Sequence, residues 1–366
     1  MRLIFTSYVS SPEFVKPDTW LERINGYTGI LEALSSRHEV IGIERINYRG
    51  EHVHKGVRYY FIKFRKKVAV FPRRMHLLIK RLNPDVVFIN GFIFPLQIIQ
   101  LRLALGKNVK IVVLHRAEKP FKGLKKYLQK LANKGVNAYL FTSAEFGKEW
   151  MEQGIISDQN KIYEIIQGSS VFFPGNKHES KNRRYVTGIP VYLWVGRLDS
   201  NKDPLTVVKA FIAFLEYQPG ARLYMIYHTD ELLAEITHLI EMSNKTGQSI
   251  QLIGKRPHHE LQDWFNSADF IISGSHYEGS GIAVTEAMSC GCIPILTDII
   301  SFRKMTGPGK CGLLYEPGNV RALLSALLQT RNMDIKKEST RTIQQFKEEL
   351  SFEAIAEKID SMIADS

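Results

Sequence analysis

Residues 270–297 form the stretch that decides the fold, FIISGSHYEGSGIAVTEAMSCGCIPILT. The apolar runs at its two ends, residues 270–272 and 293–296, have the length and composition of short buried strands. The span 283–290 between them predicts a helix, and glycine and serine fill the loop before that helix. A strand, a glycine-rich loop, a helix and a further strand are typical of one repeat of a parallel sheet.

The same alternation of short strands and helical segments runs through the whole chain, which predicts the α/β class. It is interrupted at residues 173–184, FPGNKHESKNRR, a polar stretch without apolar periodicity that favours a linker or an exposed excursion. We therefore predict two Rossmann-like, doubly wound domains that face a cleft. The first covers residues 1–172, a linker covers 173–186, and the second covers 187–350. Ligands of doubly wound sheets bind beyond the carboxyl ends of the strands, so functional residues are expected there.

Composition excludes several classes of protein. The chain has 366 residues, of which 44% are apolar and 23% charged, and this excludes a small disulfide scaffold, a disordered chain and a fibrous repeat. The longest charge-free apolar stretch, residues 86–101, is too short and too polar to span a membrane. The N-terminal sequence MRLIFTSYVSS predicts a first strand rather than a signal peptide, so we expect a cytoplasmic location. Three cysteines without metal-ligand spacing predict reduced core thiols and no metal site.

The net charge of +12 is concentrated in the first half, where residues 51–134 contain 20 basic and 3 acidic side chains. The predicted helix 121–134, FKGLKKYLQKLANK, carries an apolar stripe at helical spacing and lysines on another face. One interpretation is a core helix with a solvated outer face. The other is a surface for anionic lipid headgroups or an anionic acceptor. Nucleic acid would satisfy the same charge, but no nucleic-acid-binding motif is recognisable, and none is expected as a partner. The stripe residues are Phe121, Leu124, Leu128 and Leu131, and the lysines are Lys122, Lys125, Lys126, Lys130 and Lys134.

A second candidate site follows the predicted strand 191–195, where the sequence continues as GRLDSNKD from Gly196. Arg197 and Lys202 lie on either side of a turn at the mouth of the sheet. A planar guanidinium and a flexible ammonium can hold a pyrophosphate between them. The alternative is a surface turn with two solvated bases.

The glycine-rich loop after residue 272 predicts an anion site, because glycines let backbone N–H groups approach a ligand just before a helix begins. Glu278 lies in this loop and Glu286 lies within the helix. Two carboxylates at different depths suit recognition of hydroxyl groups, one on a sugar and one on a ribose.

Three segments together resemble a known family. They are EGSGIAVTEAMSCGCIP at 278–294, GRLDSNKDPLTVVKAF at 196–211 and GPGKCGLLYEPGN at 307–319. They resemble glycosyltransferase family 4 (group 1), retaining enzymes with the GT-B fold, and the matches extend from about residue 191 to residue 319. The resemblance implies that the C-terminal segment 351–366, an amphipathic helix with Phe352, Ile355, Ile359 and Ile363 near one face, crosses back to the first domain. The alternative is that this helix caps its own domain.

The resemblance also implies roles for individual residues. Arg197 and Lys202, after Gly196, hold the donor diphosphate in place of a metal ion, so no metal and no cofactor are expected. Glu278 contacts hydroxyls of the transferred sugar, and Glu286 binds the ribose. The loop amides near the diphosphate belong to Gly279, Ser280, Gly281 and Ile282. The nucleobase is expected near Lys255 and Arg256.

The first half matches the family less well. His115 follows a predicted strand where the family often has a histidine near the sugar and the acceptor, and the alternative is a structural hydrogen bond. The usual Gly-Gly pair after the first strand is absent from SSPEFVKPDTWLERINGYTG, in which Gly26 and Gly29 come later and apart. Ser280 stands where the family often has Phe.

The leading hypothesis is a retaining, metal-independent glycosyltransferase that uses a UDP- or GDP-sugar and a lipid-linked or cell-surface glycan acceptor. It would act in polysaccharide or lipopolysaccharide biosynthesis as a peripheral protein on the inner face of the plasma membrane. A nucleotide-sugar epimerase or hydrolase on the same fold is one alternative. A protein that binds anionic polymers and keeps a degenerate donor site is the other.

Overall fold

The computed structural model describes residues 1–63, 70–243 and 248–365. The chain divides into two units, of which unit 1 comprises Met1–Ser169 and Phe352–Ser366, and unit 2 comprises Ser170–Ser351. Each unit is built on its own sheet with helices packed on it. The predicted fold class is therefore confirmed.

The sheet of unit 1 has the strand order β3-β4-β2-β1-β5-β6-β7-β8. Strand β3 runs antiparallel to β4, and the other neighbouring strands are parallel. The strands are β1 (Arg2–Ser7), β2 (Glu39–Glu44), β3 (Gly50–His54), β4 (Val57–Phe61), β5 (Val86–Asn90), β6 (Lys110–Leu114), β7 (Ala138–Phe141) and β8 (Ile162–Glu164). The central strands are buried almost throughout, as expected for a parallel sheet covered on both faces.

The helices of unit 1 are α1 (Pro17–Arg23), α2 (Asn25–Ser35), α3 (Arg73–Arg81), α4 (Pro95–Leu105), α5 (Leu124–Asn133), α6 (Glu145–Glu152) and the C-terminal α15 (Phe352–Asp365).

Helix α15 packs against α2 and belongs to unit 1, so the prediction that this helix crosses back is confirmed. Its apolar face is buried through Ile355, Ile359 and Ile363. The Phe352 ring lies so close to Gly29 that a Cβ at that position would be 2.4 Å from the ring. Gly29 therefore has a packing role, because α15 could not approach α2 past a larger side chain.

Helix α5 differs from the expectation for a core helix. The leucines of its apolar stripe, Leu124, Leu128 and Leu131, are exposed, and the buried side chains are polar or small: Gln129, Ala132 and Asn133. The helix therefore presents its apolar stripe to the outside of unit 1. No helix in the described residues is long and apolar enough to cross a membrane.

The sheet of unit 2 is parallel, with the strand order β11-β10-β9-β12-β13-β14. The strands are β9 (Val191–Gly196), β10 (Arg222–Tyr227), β11 (Ile250–Gly254), β12 (Phe270–Ser273), β13 (Ile293–Thr297) and β14 (Leu313–Tyr315). The helices are α7 (Lys177–Arg184), α8 (Pro204–Phe214), α9 (Leu233–Met242), α10 (His258–Ser267), α11 (Ile282–Ser289), α12 (Ile300–Thr306), α13 (Val320–Gln329) and α14 (Ile335–Gln345). The three cysteines are free, and Cys292 and Cys311 are buried.

The predicted linker at 173–186 is wrong, because helix α7 forms most of it and packs on α10 within unit 2. Asn176 caps this helix by accepting hydrogen bonds from the backbone of residues 178 and 179. Arg184 forms ion pairs with Glu260 at 2.6 Å and with Asp263 at 3.1 Å. Hydrogen bonds from Arg183 lower the pKa of Asp263, whose carboxylate both arginines share. The packed face of α7 is polar, so apolar periodicity could not reveal this helix.

Candidate active site

The carboxyl ends of β9 and β12 lie side by side, because these two strands are parallel neighbours at the centre of the unit 2 sheet. The strand order reverses at this pair, with β10 and β11 on one side and β13 and β14 on the other. Ligands of open parallel sheets bind at such a switch point. The GRLDSNKD segment and the glycine-rich loop therefore begin at the same place.

The loop after β9 is organised by Asp199. Its carboxylate accepts a hydrogen bond from the backbone N–H of Lys202 at 2.9 Å and pairs with the Arg197 guanidinium at 2.9 Å. The Arg197 side chain remains half-exposed. Asp199 thus holds the turn that carries both of the predicted phosphate-binding cations, a role that the sequence analysis missed.

The loops after β9 and β12 are joined by hydrogen bonds. The backbone N–H of His276 donates to the Asn201 carbonyl at 2.8 Å, and the Asn201 side-chain amide donates to the Tyr277 carbonyl at 3.1 Å. Gly274 makes this approach possible, because a Cβ there would lie 2.8 Å from the carbonyl oxygen of Asp203. The two loops form one surface.

Lys202 and Glu278 form an ion pair across this surface. The Ser275 hydroxyl donates to the same Glu278 oxygen at 2.8 Å, and the Ser301 hydroxyl donates to the backbone carbonyl of Glu278. The predicted diphosphate-binding lysine and the predicted sugar-binding carboxylate are therefore in direct contact. Their separation of 76 residues hides this contact from local sequence patterns.

Gly281 ends the glycine-rich loop and begins α11. Its φ of +52° lies in the left-handed region, and a Cβ would be 3.0 Å from the sulfur of Met305 and 3.1 Å from the ring of Phe302. A glycine is thus required both by the backbone and by the packing. The backbone N–H groups at the start of α11 include those of Ile282 and its neighbours, as the prediction of an anion site requires. Ser280 and Gly279 lie partly exposed in this loop.

Glu286 lies on α11 with its side chain largely buried, and His258 donates a hydrogen bond from Nε2 to Glu286 Oε1 at 2.6 Å. The His258 ring is stacked on Phe172, with ring centroids 4.9 Å apart. His258 was not among the predicted site residues, since it lies 28 positions from its partner. Lys255 and Arg256 are exposed directly after β11, two to three residues before His258. The predicted nucleobase residues are therefore close along the chain to His258, which contacts the predicted ribose residue Glu286.

His115 lies at the carboxyl end of β6 in unit 1 and is buried. Its Nε2 donates to the backbone carbonyl of Glu118 at 2.9 Å, and its ring packs on Phe141 at 4.4 Å between centroids. Burial lowers the pKa of His115. His115 thus makes a structural hydrogen bond, which is the alternative to a role near the sugar and the acceptor.

The next residue, Arg116, is exposed but held in place. Its Nε and Nη2 donate to Asn90 Oδ1 at 3.1 and 2.7 Å, and its Nη1 donates to the Gln167 carbonyl at 3.0 Å. The guanidinium carbon lies 5.0 Å above the centre of the Tyr27 ring. A fixed guanidinium at the carboxyl end of β6 is suited to bind an anionic group. The sequence analysis missed it, although it follows a predicted strand directly.

Glu44, the last residue of β2, lies at the same edge of the unit 1 sheet and is buried. Burial raises its pKa to about 7, an effect that the hydrogen bond from Trp20 Nε1 at 3.0 Å and the charge of Arg116 only partly offset. A carboxyl group with this pKa titrates near neutrality.

Helix α5 and the residues just before it carry the lysines predicted to form a membrane or acceptor surface. Lys122 and Lys125 are exposed, and Lys126 and Lys130 are half-buried. Within the described part of the chain, no group of three or more His, Cys, Asp or Glu side chains is placed to hold a metal ion.

Comparison with known proteins finds a family model that resembles the second unit. Residues 176–349 match the family model described as "Glycosyl transferases group 1". This second unit is therefore similar to group 1 glycosyltransferases. Arg197, Lys202, Glu278 and Glu286 all lie within it.

Two curated relatives align with about half of the chain. D-inositol 3-phosphate glycosyltransferase of Corynebacterium urealyticum is 26% identical over 195 residues, which are 50% of this chain and 46% of the relative. GDP-mannose:cellobiosyl-diphosphopolyprenol alpha-mannosyltransferase of Komagataeibacter xylinus is 31% identical over 195 residues, 49% of each chain. The chain thus spans about half the length of these relatives.

Solved structures extend the fold likeness beyond the residues that match this family model. Anabaena Alr3699/HepE, determined in complex with UDP and glucose, is similar over 100% of both chains with a TM-score of 0.72 and 12% sequence identity. This similarity shows the GT-B fold for the whole chain.

Proposed function

We propose that this protein is a retaining, metal-independent glycosyltransferase of family 4 that transfers a hexose from a UDP- or GDP-sugar. The observation that carries the proposal is the contact between Lys202 and Glu278 where β9 and β12 end. A cation for the diphosphate and a carboxylate for the sugar hydroxyls lie at one point, as a nucleotide-sugar donor requires. The names of the relatives, which include a GDP-mannose-dependent transferase, support the same class of donor.

In the proposed reaction, positive charge develops on the anomeric carbon and negative charge on the leaving diphosphate. Arg197, Lys202 and the N–H groups at the start of α11 stabilise the leaving group, which is the largest contribution that fixed dipoles and charges can make. Glu278 accepts hydrogen bonds from sugar hydroxyls and Glu286 from the ribose. The acceptor attacks from the side of the leaving group, and the departing phosphate takes the acceptor proton, so the anomeric configuration is retained.

We further propose that unit 1 binds the acceptor, a glycan or lipid-linked saccharide of polysaccharide or lipopolysaccharide synthesis. Arg116 would bind an anionic group of the acceptor, since the residue is exposed and its guanidinium is held by Asn90 and Gln167. The names of both relatives describe phosphate-bearing substrates, an inositol phosphate and a diphosphopolyprenol. His115 would support the loop that carries Arg116, because its ring bonds the Glu118 carbonyl. The proposed location is peripheral, on the inner face of the plasma membrane.

The test begins with thermal stabilisation by a panel of UDP-, GDP- and ADP-sugars, because a ligand that binds the folded state raises the melting temperature. Incubation of the stabilising donor with and without lipid-linked acceptors, followed by product analysis, then distinguishes the activities. Acceptor-dependent product with unchanged anomeric configuration, and no loss of rate in EDTA, supports the proposal. Sugar release or epimerisation without acceptor would assign a hydrolase or epimerase. If no nucleotide sugar raises the melting temperature, the remaining alternative is a protein that binds anionic polymers and keeps a degenerate donor site.

A further inference from the structure

The outward face of helix α5 is apolar. Leu124 is 84% exposed, Tyr127 67%, Leu131 49% and Leu128 38%. Residues three and four apart lie on the same side of a helix, so these four side chains form one continuous stripe. Globular proteins normally bury leucine away from water. A continuous exposed apolar stripe of this kind is typical of a surface that binds a protein, a membrane or a ligand.

The inward face of α5 is polar, and its hydrogen bonds fix the orientation of the helix. The Gln129 side chain is fully buried, accepts from the Phe121 N–H at 2.9 Å and donates to the Phe92 carbonyl at 2.9 Å. Asn133 is also buried and accepts from the Tyr139 hydroxyl at 3.0 Å. Turning the leucines inward would expose these bonds and leave buried polar partners unpaired, which is costly. The outward leucines are therefore built into the fold of unit 1.

Lysines border the apolar stripe. At 100° per residue, Lys125 lies on one side of the stripe, and Lys130 and the C-cap residue Lys134 lie on the other, whereas Lys126 points nearly opposite the stripe. Residues 119–144 contain six lysines and no aspartate or glutamate. An apolar stripe with lysines on both sides is the pattern of a helix that lies in the plane of an anionic membrane surface, with its apolar side chains among the acyl chains and its lysines at the headgroups.

We propose that α5 is an interfacial helix that inserts Leu124, Tyr127, Leu128 and Leu131 into a bilayer containing acidic phospholipid. The charge of the segment favours lipid over a second copy of the chain, because two copies of this segment in contact would bring their lysines together. The inference goes beyond the proposed transfer reaction. Binding to vesicles needs neither donor nor acceptor, so its failure and the failure of the proposed function are separate results.

The first experiment measures co-sedimentation of the full-length protein with vesicles of phosphatidylcholine alone or mixed with phosphatidylglycerol. We expect binding to the mixed vesicles only. The double variant L124S/L128S should lower the partition coefficient about a hundredfold, because two leucines no longer leave water. The control M242S removes an equally exposed apolar side chain from α9 in unit 2 and should bind like the wild type. Circular dichroism melting curves check that the variants fold.

The role of the lysines is measured with the triple variant K122Q/K126Q/K130Q. Each basic residue near an acidic membrane adds to the attraction. The loss of three lysines should therefore also lower the partition coefficient about a hundredfold. For wild type, 1 M salt should weaken binding without abolishing it, since salt screens charge and leaves apolar insertion in place.

The second experiment reports depth. In Y127W, tryptophan replaces an exposed tyrosine on the stripe, and in the matched control Y217W it replaces an exposed tyrosine of unit 2. Lipids brominated on the acyl chain should quench the additional tryptophan fluorescence of Y127W. They should not quench the additional tryptophan fluorescence of Y217W.

Three results would overturn the proposal. One is the absence of binding to acidic vesicles at low salt. Another is wild-type binding by L124S/L128S together with unquenched Y127W, which would show purely electrostatic adsorption. The third is a wild-type dimer in light scattering that L124S/L128S converts to a monomer, which would assign the stripe to a second copy of the chain.

Discussion

His258 Nε2 lies 2.6 Å from Glu286 Oε1, so the carboxylate that the sequence assigns to the ribose already accepts a hydrogen bond from the first residue of α10. The Phe172 ring stacks on the His258 ring. The histidine orients Glu286, and in the proposed function the second carboxylate oxygen accepts from a ribose hydroxyl. Residues of α10 and α11 therefore together form the part of the candidate site that we propose binds the nucleotide.

Replacement of Glu286 separates nucleotide binding from sugar transfer. E286Q should weaken the donor and free nucleoside diphosphate alike, by roughly tenfold to a hundredfold, because a charged hydrogen bond to the ribose is lost in both. E278Q should impair transfer and largely spare free nucleotide. Isothermal titration and initial rates measure the two effects, with E235Q on the exposed face of α9 as a control. Equal losses of nucleotide affinity in E286Q and E278Q would contradict this division of roles.

Removal of either phosphate-binding cation should slow turnover. R197A and K202A are each expected to lower kcat by roughly 10²–10³, as removal of one preorganised charge-stabilising donor does in other enzymes. The control K209A deletes an exposed lysine of α8 and should retain wild-type activity. Steady-state kinetics with saturating acceptor measure the effect. Rates within threefold of wild type for both R197A and K202A would remove these side chains from the mechanism.

The buried carboxyl of Glu44 predicts a pH dependence of stability. Its pKa is raised from 4.5 to about 7 in the folded state, so between these values the folded protein binds more protons than the unfolded chain. The free energy of unfolding therefore falls as pH rises through this window. E44Q does not show this loss, because glutamine does not titrate. From pH 5 to pH 8, the free energy of unfolding of E44Q should rise by about 2 to 3 kcal/mol relative to that of wild type.

Urea denaturation of both proteins at pH 5 and pH 8 measures this difference. Gln keeps an oxygen that can accept from Trp20, so the comparison isolates the charge. A gap between the two proteins that does not change with pH would show that Glu44 stays ionised in the folded state.

The position of Arg116 predicts that its replacement changes KM for the acceptor and not KM for the donor. R116K keeps the charge but loses the planar fork that Asn90 and Gln167 hold, and it should raise KM for an anionic acceptor roughly tenfold to a hundredfold with KM for the donor unchanged. R58K, an exposed arginine near the amino end of β4, is the matched control. A rise in both KM values, or in neither, would argue against acceptor binding at this residue.

The sequence alone determined the fold class, the position of most strands along the chain and the two loops of the candidate donor site. These features depend on local patterns: apolar runs of strand length, glycines at loop positions, and Arg197, Lys202, Glu278 and Glu286 at set distances from strand ends. Strands β9 and β12 become neighbours in a parallel sheet, and that adjacency brings the two predicted loops together. Local composition was sufficient because parallel sheets place their carboxyl-end loops on one edge.

Tertiary structure alone decided which face of a helix is buried. The periodicity of α5 shows that it is amphipathic, but its buried face is set by distant partners, the carbonyl of Phe92 for Gln129 and the hydroxyl of Tyr139 for Asn133. Helix α7 was missed for the same reason, since ion pairs with α10 replace apolar contacts. A buried polar side chain is stable when its hydrogen bonds are satisfied, and those partners come from segments that no local pattern connects.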